Sequence, residues 1–323
     1  MRAPVSVVAL LSLVFACACG QSSPAPEVTP PPAVEDVDAG QSPAPDAGTP
    51  PRDAGSGDAA AEPANVRILA GNISSGSSST YDSGEGIRML QGLHPDIAML
   101  QELVYGANGD ADVRAFVDKA FGSSFVFFRE SGVQIPNAVV SRFPILASGR
   151  WVDPKVANRS FVYAKIAVPG PHPLWAVSVH LLTTNGTDRN AEATSLVAQL
   201  KGAAADGDYV VIGGDFNTDN RTEPCLSTFA QIVATDGEAP ADQQGNDNTN
   251  GPRSRPYDWV LVDRMLAKAQ RPTVIGGNSF AAGLVFDSRV YTPLADVAPV
   301  QKTDSDATNM QHMPVVKDFY LAQ

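Results

Sequence analysis

Residues 208–219 read Asp-Tyr-Val-Val-Ile-Gly-Gly-Asp-Phe-Asn-Thr-Asp, and no other stretch of the chain restricts its fold so tightly. Tyr209, Val210, Val211 and Ile212 are β-branched or apolar and suit a buried strand. Gly213 and Gly214 predict a tight turn at its end. Asp215 and Asn217 follow, and their i, i+2 spacing lets both project into one crevice. A carboxylate there can bind a divalent cation or take a proton from water. A carboxamide can hold an oxyanion or share the metal.

The 323 residues do not all belong to a folded domain. Residues 1–19 read as a secretory signal: Arg2 is positive, Val5 to Ala16 form a short apolar run, and Ala16-Cys17-Ala18-Cys19-Gly20 closes it. That run falls short of the ~20 apolar residues a membrane-spanning helix needs. A Cys after small residues resembles a bacterial lipobox, with either Cys17 or Cys19 as the lipidated residue. Residues 20–64 are Pro, Ala, Asp, Gly and Ser with almost no large apolar side chain, too little to offset ordering entropy. They are expected to form a disordered tether that holds the domain away from a membrane. This stretch carries eight acidic residues against Arg52 alone, which leaves a net charge of −6 on residues 65–323. Such a domain lacks the bulk basic surface of a protein that tracks duplex nucleic acid. Metal ions would have to supply much of the positive charge that meets a phosphate. Cys225 is the one cysteine left there, so no disulfide within the domain is available.

Within 65–323 the pattern predicts strands at Val66–Gly71, Ile97–Leu103, Phe125–Phe128, Ala138–Ser141, Phe161–Val168, Trp175–Leu182, Tyr257–Val262 and Val315–Leu321, besides the strand before Asp215. Helices are expected at three places: after a capping box Asp82–Glu85, over Asp110–Phe121, and over Asp188–Ala205. Many strands with few helices predict a single α/β domain, two packed sheets with helices outside.

Polar residues then stand at strand ends in a fixed order: Asn72, Glu102, His180, the Asp215/Asn217 pair and Asp258, with His312 after them. Gln101-Glu102, Asn137-Ala-Val-Val-Ser-Arg-Phe-Pro-Ile145, Gly214-Asp-Phe-Asn217, Tyr257-Asp258-Trp259 and His312-Met-Pro-Val315 accompany them. In this order the motifs resemble the endonuclease/exonuclease/phosphatase superfamily over the whole of 65–323. The resemblance implies a four-layer α/β sandwich of two mixed sheets flanked by helices, and Mg²⁺- or Mn²⁺-dependent cleavage of a phosphoester by in-line attack of water. Crowding Glu102, Asp215 and Asp258 into one cleft is unfavourable without a cation, and hard oxygen donors favour Mg²⁺ over zinc.

Carried over by motif, Glu102 is the principal metal ligand, with Asn72 beside it and Asp215 near. Asp215 orients or activates water, and Asn217 holds the metal or a phosphate oxygen. Asp258 accepts a hydrogen bond from His312. His180 contacts phosphate or protonates the leaving oxygen, and Arg159 is a phosphate contact. One departure stands out: Gln311 occupies the position where the family usually has Asp. Its carboxamide can donate to phosphate but has no charge for a metal, which permits lowered activity. The implied substrate is nucleic acid first, a phospholipid or small phosphoester second; a catalytically weakened surface binding module is the third reading. Arg253 and Arg255, in the Gln/Asn/Asp-rich loop 237–255, are placed to meet a polyanion. The chain is expected to be exported, membrane-anchored through its lipid or secreted, and monomeric. Sequons occur at Asn72, Asn158, Asn185 and Asn220; a glycan on Asn72 would block the cleft.

Overall fold

A computed structural model describes residues 64–74, 84–308 and 310–321. The signal, the lipidation cysteines Cys17 and Cys19 and nearly all of the expected tether lie outside the described residues.

In chain order the elements are β1 (Ala64–Asn72), α1 (Glu85–Leu93), β2 (Ile97–Gln101), α2 (Asp110–Ala120), β3 (Val126–Arg129), β4 (Ala138–Ser141), β5 (Ile145–Val152), β6 (Ser160–Ile166) and β7 (Leu174–His180). They continue with α3 (Gly186–Ala203), β8 (Tyr209–Asp215), α4 (Pro224–Phe229), β9 (Asp258–Val262), α5 (Arg264–Ala269), β10 (Gln270–Arg271), β11 (Thr273–Ile275), β12 (Asn278–Phe280), β13 (Leu284–Val285) and β14 (Val315–Leu321). Two mixed sheets result. One orders its strands β10-β14-β1-β2-β4-β3, with β13 also on β14; the other runs β5-β6-β7-β8-β9.

Period-2 patterning decides which side chains meet. Val66, Ile68 and Ala70 of β1 share an inter-sheet core with Met99 of β2, Ala176 of β7, Val211 of β8 and Val260 of β9. The opposite face of the first sheet packs Leu69 and Leu100 against Ile87 and Leu90 of α1 and Phe116 and Val117 of α2. The opposite face of the second packs Val177 and Ile212 against Leu196 and Leu200 of α3 and Phe229 of α4. Four layers follow, as the sequence predicts. Burying each Val, Leu, Ile, Phe or Met among these contributes about 1.5–3 kcal/mol.

Local expectations are corrected in three places. The glycines of the 208–219 stretch do not make a turn: β8 runs through both of them to Asp215. At Gly213 a Cβ would press on the end of the Met99 side chain from the facing sheet, and at Gly214, where φ is +138°, it would meet the Val179 backbone carbonyl. Helix α1 starts from Gly84, in the left-handed region with no side-chain cap; Asp82 of the expected capping box lies outside the described residues. Helix α3 starts two residues early because Asn185 caps it, accepting from the Asp188 N–H at 2.9 Å. Among the described residues no helix is long and apolar enough to cross a membrane.

Candidate active site

Strand direction gathers the candidate residues at one edge. β1 and β2 are parallel, as are β7 and β8, so Asn72, Gln101, His180 and Asp215 all end strands at the same side; Asn72 pairs with Gln101, and His180 with Asp215. β9 runs antiparallel to β8 and begins there, which sets Asp258 opposite Asp215. β14 is antiparallel to β1, so His312, just before it, arrives at the same edge. Asn72, His180, Asp215 and Asp258 occupy the inward parity of their strands. They therefore cap the inter-sheet core where it meets solvent.

The hub is the Asp215 Oδ2 atom. Asn72 Nδ2 donates to it at 3.0 Å, His180 Nε2 lies 3.4 Å away and His312 Nε2 3.6 Å away. Oδ1 of the same carboxylate accepts the Asn217 N–H at 2.9 Å. Asn72 also donates to Glu102 Oε1 at 3.1 Å, and its own oxygen accepts from Ser74 N–H. Asp258 Oδ2 lies 2.9 Å from His312 Nδ1. Glu102 has the outward parity of β2, one residue past Gln101, and only its φ of +58° re-aims it; Asn217 likewise sits at φ +51°. Non-glycine residues held there cost about 1–3 kcal/mol, a strain that clusters at functional sites.

Burial sets the charge states. Asp215 is 1% exposed. Burial pushes its carboxyl up to about 6, with Asp258 adding to the rise and His312 opposing it. Burial alone would lower His312, but the Asp258 and Asp215 carboxylates outweigh it and raise the imidazole to about 9. Burial, then the positive charges of Arg159 and His312, hold His180 well below the usual imidazole range. At neutral pH the cleft thus holds a cationic His312 between two carboxylates and a neutral His180.

Two sequence candidates are placed differently from their expected roles. Arg159 is buried, and its guanidinium donates to the His180 carbonyl, to the Leu181 carbonyl at 3.0 Å and to Asn158 Oδ1. It fixes the exit of β7 from within the domain. Arg253 is likewise spent inside its loop, on Asp242, Asp287 and two carbonyls. Arg255 is half exposed and pairs with Asp219 at 2.6 Å. Gln311 is exposed at the site's border and its backbone carbonyl accepts from Gly251. Asn217 Nδ2 donates to the Leu181 carbonyl, and Asn72 is buried at 2% exposure.

Reasoning from sequence missed the supports. Thr249 Oγ1 accepts the Asp258 N–H at 2.6 Å, and its carbonyl accepts from Met313, so one threonine braces both ends of the Asp258–His312 pair. Asn250 bridges His312 in register. Gln101 donates to Ser178 Oγ across the sheets at 2.8 Å. Thr249 and Asn250 lie in a polar loop with no periodicity, so no local signal marks them.

The site is thus a set of carboxylates, carboxamides and imidazoles gathered at one strand edge of a two-sheet α/β sandwich. The chain belongs to the Endonuclease/Exonuclease/phosphatase family, whose model matches residues 69–284; family members are phosphoester hydrolases, generally dependent on a divalent metal. Among solved structures, an endonuclease/exonuclease/phosphatase from Bacteroides vulgatus is similar at 15% identity and TM-score 0.55, covering 80% of this chain and 100% of its own. Truncated Caenorhabditis elegans TDP2 is similar at 19% identity and TM-score 0.51, covering 79% of this chain and 97% of its own. The human Nocturnin catalytic domain with bound sulfate follows at 15% identity and TM-score 0.52, with 79% and 94% covered. No curated protein matches by sequence comparison.

Among the described residues no cluster of three or more His, Cys, Asp or Glu side chains has metal-holding geometry. This is compatible with Mg²⁺, which keeps several waters and takes one or two carboxylates. Glu102, with a side chain 16% exposed at the cleft and Asn72 next to it, is such a donor set.

Proposed function

We propose that this protein is an exported, Mg²⁺-assisted phosphodiesterase that hydrolyses its substrate by in-line attack of water, with nucleic acid as the leading substrate class. The observation that carries the reading is the convergence of Asn72, His180 and His312, drawn from both sheets, on a single oxygen of Asp215. Glu102, with Asn72, would hold the cation, which when bound polarises the phosphoryl oxygens and offsets developing charge. Asp215, raised toward neutrality, accepts the proton of the attacking water. As the water oxygen bonds to phosphorus, the ester P–O bond opposite it breaks. His312, cationic between Asp258 and Asp215, faces the accumulating charge and can give the leaving oxygen its proton. A neutral His180 is suited to hydrogen-bond a phosphate oxygen rather than to act as the acid.

A second reading, a small phosphodiester or phospholipid headgroup, is favoured by one observation. Arg159 and Arg253 hydrogen-bond internal partners, and the net charge of −6 on residues 65–323 leaves little positive surface for a duplex.

The test is hydrolysis of plasmid DNA, sphingomyelin and bis-p-nitrophenyl phosphate with Mg²⁺, by wild type and by Asp215→Asn. The expected result is DNA cleavage lost with chelator and lowered by ~10³-fold or more in the variant, the scale of a lost catalytic base. Turnover of only the smaller esters would assign the second reading. Equal rates for wild type and Asp215→Asn would overturn both. Export rests on residues 1–19; labelled palmitate should enter the wild type and be lost from a Cys17→Ser/Cys19→Ser variant.

A further inference from the structure

The loop from Asp242 to Arg255 has no helix or strand to hold it, and its sequence is Asp, Gln, Asn, Gly, Thr, Pro, Ser and Arg, with no large apolar side chain. Yet parts of it are packed inside the domain, with Asp242, Thr249 and Asn250 each no more than 6% exposed. Backbone buried in this way must find polar partners. Arg253 supplies them. Its Nε donates to the Asn248 carbonyl at 2.7 Å, and its Nη2 to Asp242 Oδ2 at 2.8 Å and to the Asn246 carbonyl at 3.1 Å, while Nη1 donates to Asp287 Oδ2. The Arg253 side chain is 10% exposed and both carboxylates 2%. Asp242 Oδ1 in turn accepts the Gln244 and Asn246 N–H groups. One planar guanidinium therefore closes the loop on itself and on the segment after β13. Arg253 also sits at φ +58°, a strained region for a residue with a Cβ, and its N–H donates to the Asn250 carbonyl at 2.7 Å.

The same loop meets the cleft. Thr249 accepts the Asp258 N–H on its Oγ1 and the Met313 N–H on its carbonyl at 2.7 Å. Asn250 pairs with His312 as an antiparallel bridge, and the Gly251 N–H donates to the Gln311 carbonyl at 2.6 Å. Thr249, Asn250 and Gly251 all lie between Asn248 and Arg253, the carbonyl and the guanidinium that hold each other. Asp258 opens β9 of one sheet, and His312 precedes β14 of the other, so their 2.9 Å contact spans the two sheets. The loop grips the backbone on both sides of that contact.

We propose that Arg253 is a positioning residue for the cleft: its guanidinium holds the 242–255 loop as a bound cation would, and through Thr249 and Asn250 that loop aligns the Asp258–His312 pair. The role rests on the hydrolytic reading above. Lysine does not replace it, because a compact ammonium lacks the planar fork that reaches two carboxylates and two carbonyls at once.

Wild type, Arg253→Ala and Arg253→Lys are compared in two assays. One is hydrolysis, with Mg²⁺, of the ester that wild type turns over. The other is the ring ¹⁵N signals of the histidines in metal-free protein, those of His312 being assigned by their loss in His312→Ala. Both Arg253 variants should lower kcat on the order of 10²-fold, the scale of a reacting group displaced by about 1 Å, with KM within about threefold of wild type. The His312 signals should move, and those of His94 and His172 should stay. Free guanidinium, at concentrations that leave wild type unchanged, should bring Arg253→Ala back toward wild type in both assays; sodium at equal ionic strength should not. Wild-type kcat and His312 signals in Arg253→Ala, or a loss that guanidinium leaves unrestored, would overturn the proposal. Should Arg253→Ala not fold, Arg253→Lys carries the test: displaced His312 signals are expected, and wild-type signals are contrary. The ring signals decide the role of Arg253 even where wild type cleaves none of the esters, which separates its failure from failure of the hydrolytic reading.

Discussion

Asp258 never needs to touch substrate to matter. Its carboxylate fixes the Nδ1 side of His312 and, with Asp215, raises that imidazole to about 9. A histidine raised on folding contributes stability that is fully present below its unfolded pKa of about 6.5 and is lost as pH climbs through 9. Metal-free protein should therefore lose urea stability between about pH 6.5 and 9, and Asp258→Asn should flatten that slope. A wild-type slope equal to the variant's would contradict the pairing. For activity, His312→Ala is expected to cost on the order of 10²-fold or more in kcat/KM. An unchanged rate removes His312 from the mechanism. Asp215→Asn and His312→Ala should not add, because both act on one proton-transfer unit.

Among the elements, β8 carries the tightest constraint. A side chain at Gly214 would meet the Val179 carbonyl and the Gln101 amide, and its φ lies where L residues are strained. Gly214→Ala should destabilise by about 2–4 kcal/mol and cut activity beyond that loss, since Asp215 is the next residue. Chemical denaturation beside a kinetic assay of the folded fraction separates the two effects. A variant as stable as wild type would refute the packing argument. β8 was legible before any coordinates, because a β-branched run ending in Gly-Gly-Asp-x-Asn is a local signal. The role of Gly214 was not: it comes from the Val179 carbonyl of the neighbouring strand and from Gln101 of the facing sheet, both set by tertiary packing. β5, α4, α5 and β10 to β13 escaped the pattern because they are edge or short elements. β5 in particular alternates weakly, with Leu146 and Val152 exposed.

For the molecule as a whole, the described residues form three apolar clusters between Val66 and Leu321, and the sequence of residues 20–64 offers almost no large apolar side chain to add to them. A chain of residues 64–323 should accordingly match the full-length Tm, within error, by calorimetry; a lower value would mean that the preceding segment joins the fold. The net charge of −6 carries a second expectation. Each phosphate neutralised by Lys or Arg contributes ~0.9 to the salt slope of duplex binding. With Arg159 and Arg253 occupied internally, the slope should stay below about 3. A steeper one would reveal a basic track not evident in the fold. What the sequence by itself determined was the set of candidate residues and the inward parity that carries Asn72, His180, Asp215 and Asp258. Strand periodicity and residue type are local properties. Only the tertiary structure decided that one Asp215 oxygen collects three partners and that Arg159 faces backbone carbonyls. Those depend on which strands pair and how far the sheets separate, distances set by packing between segments remote along the chain.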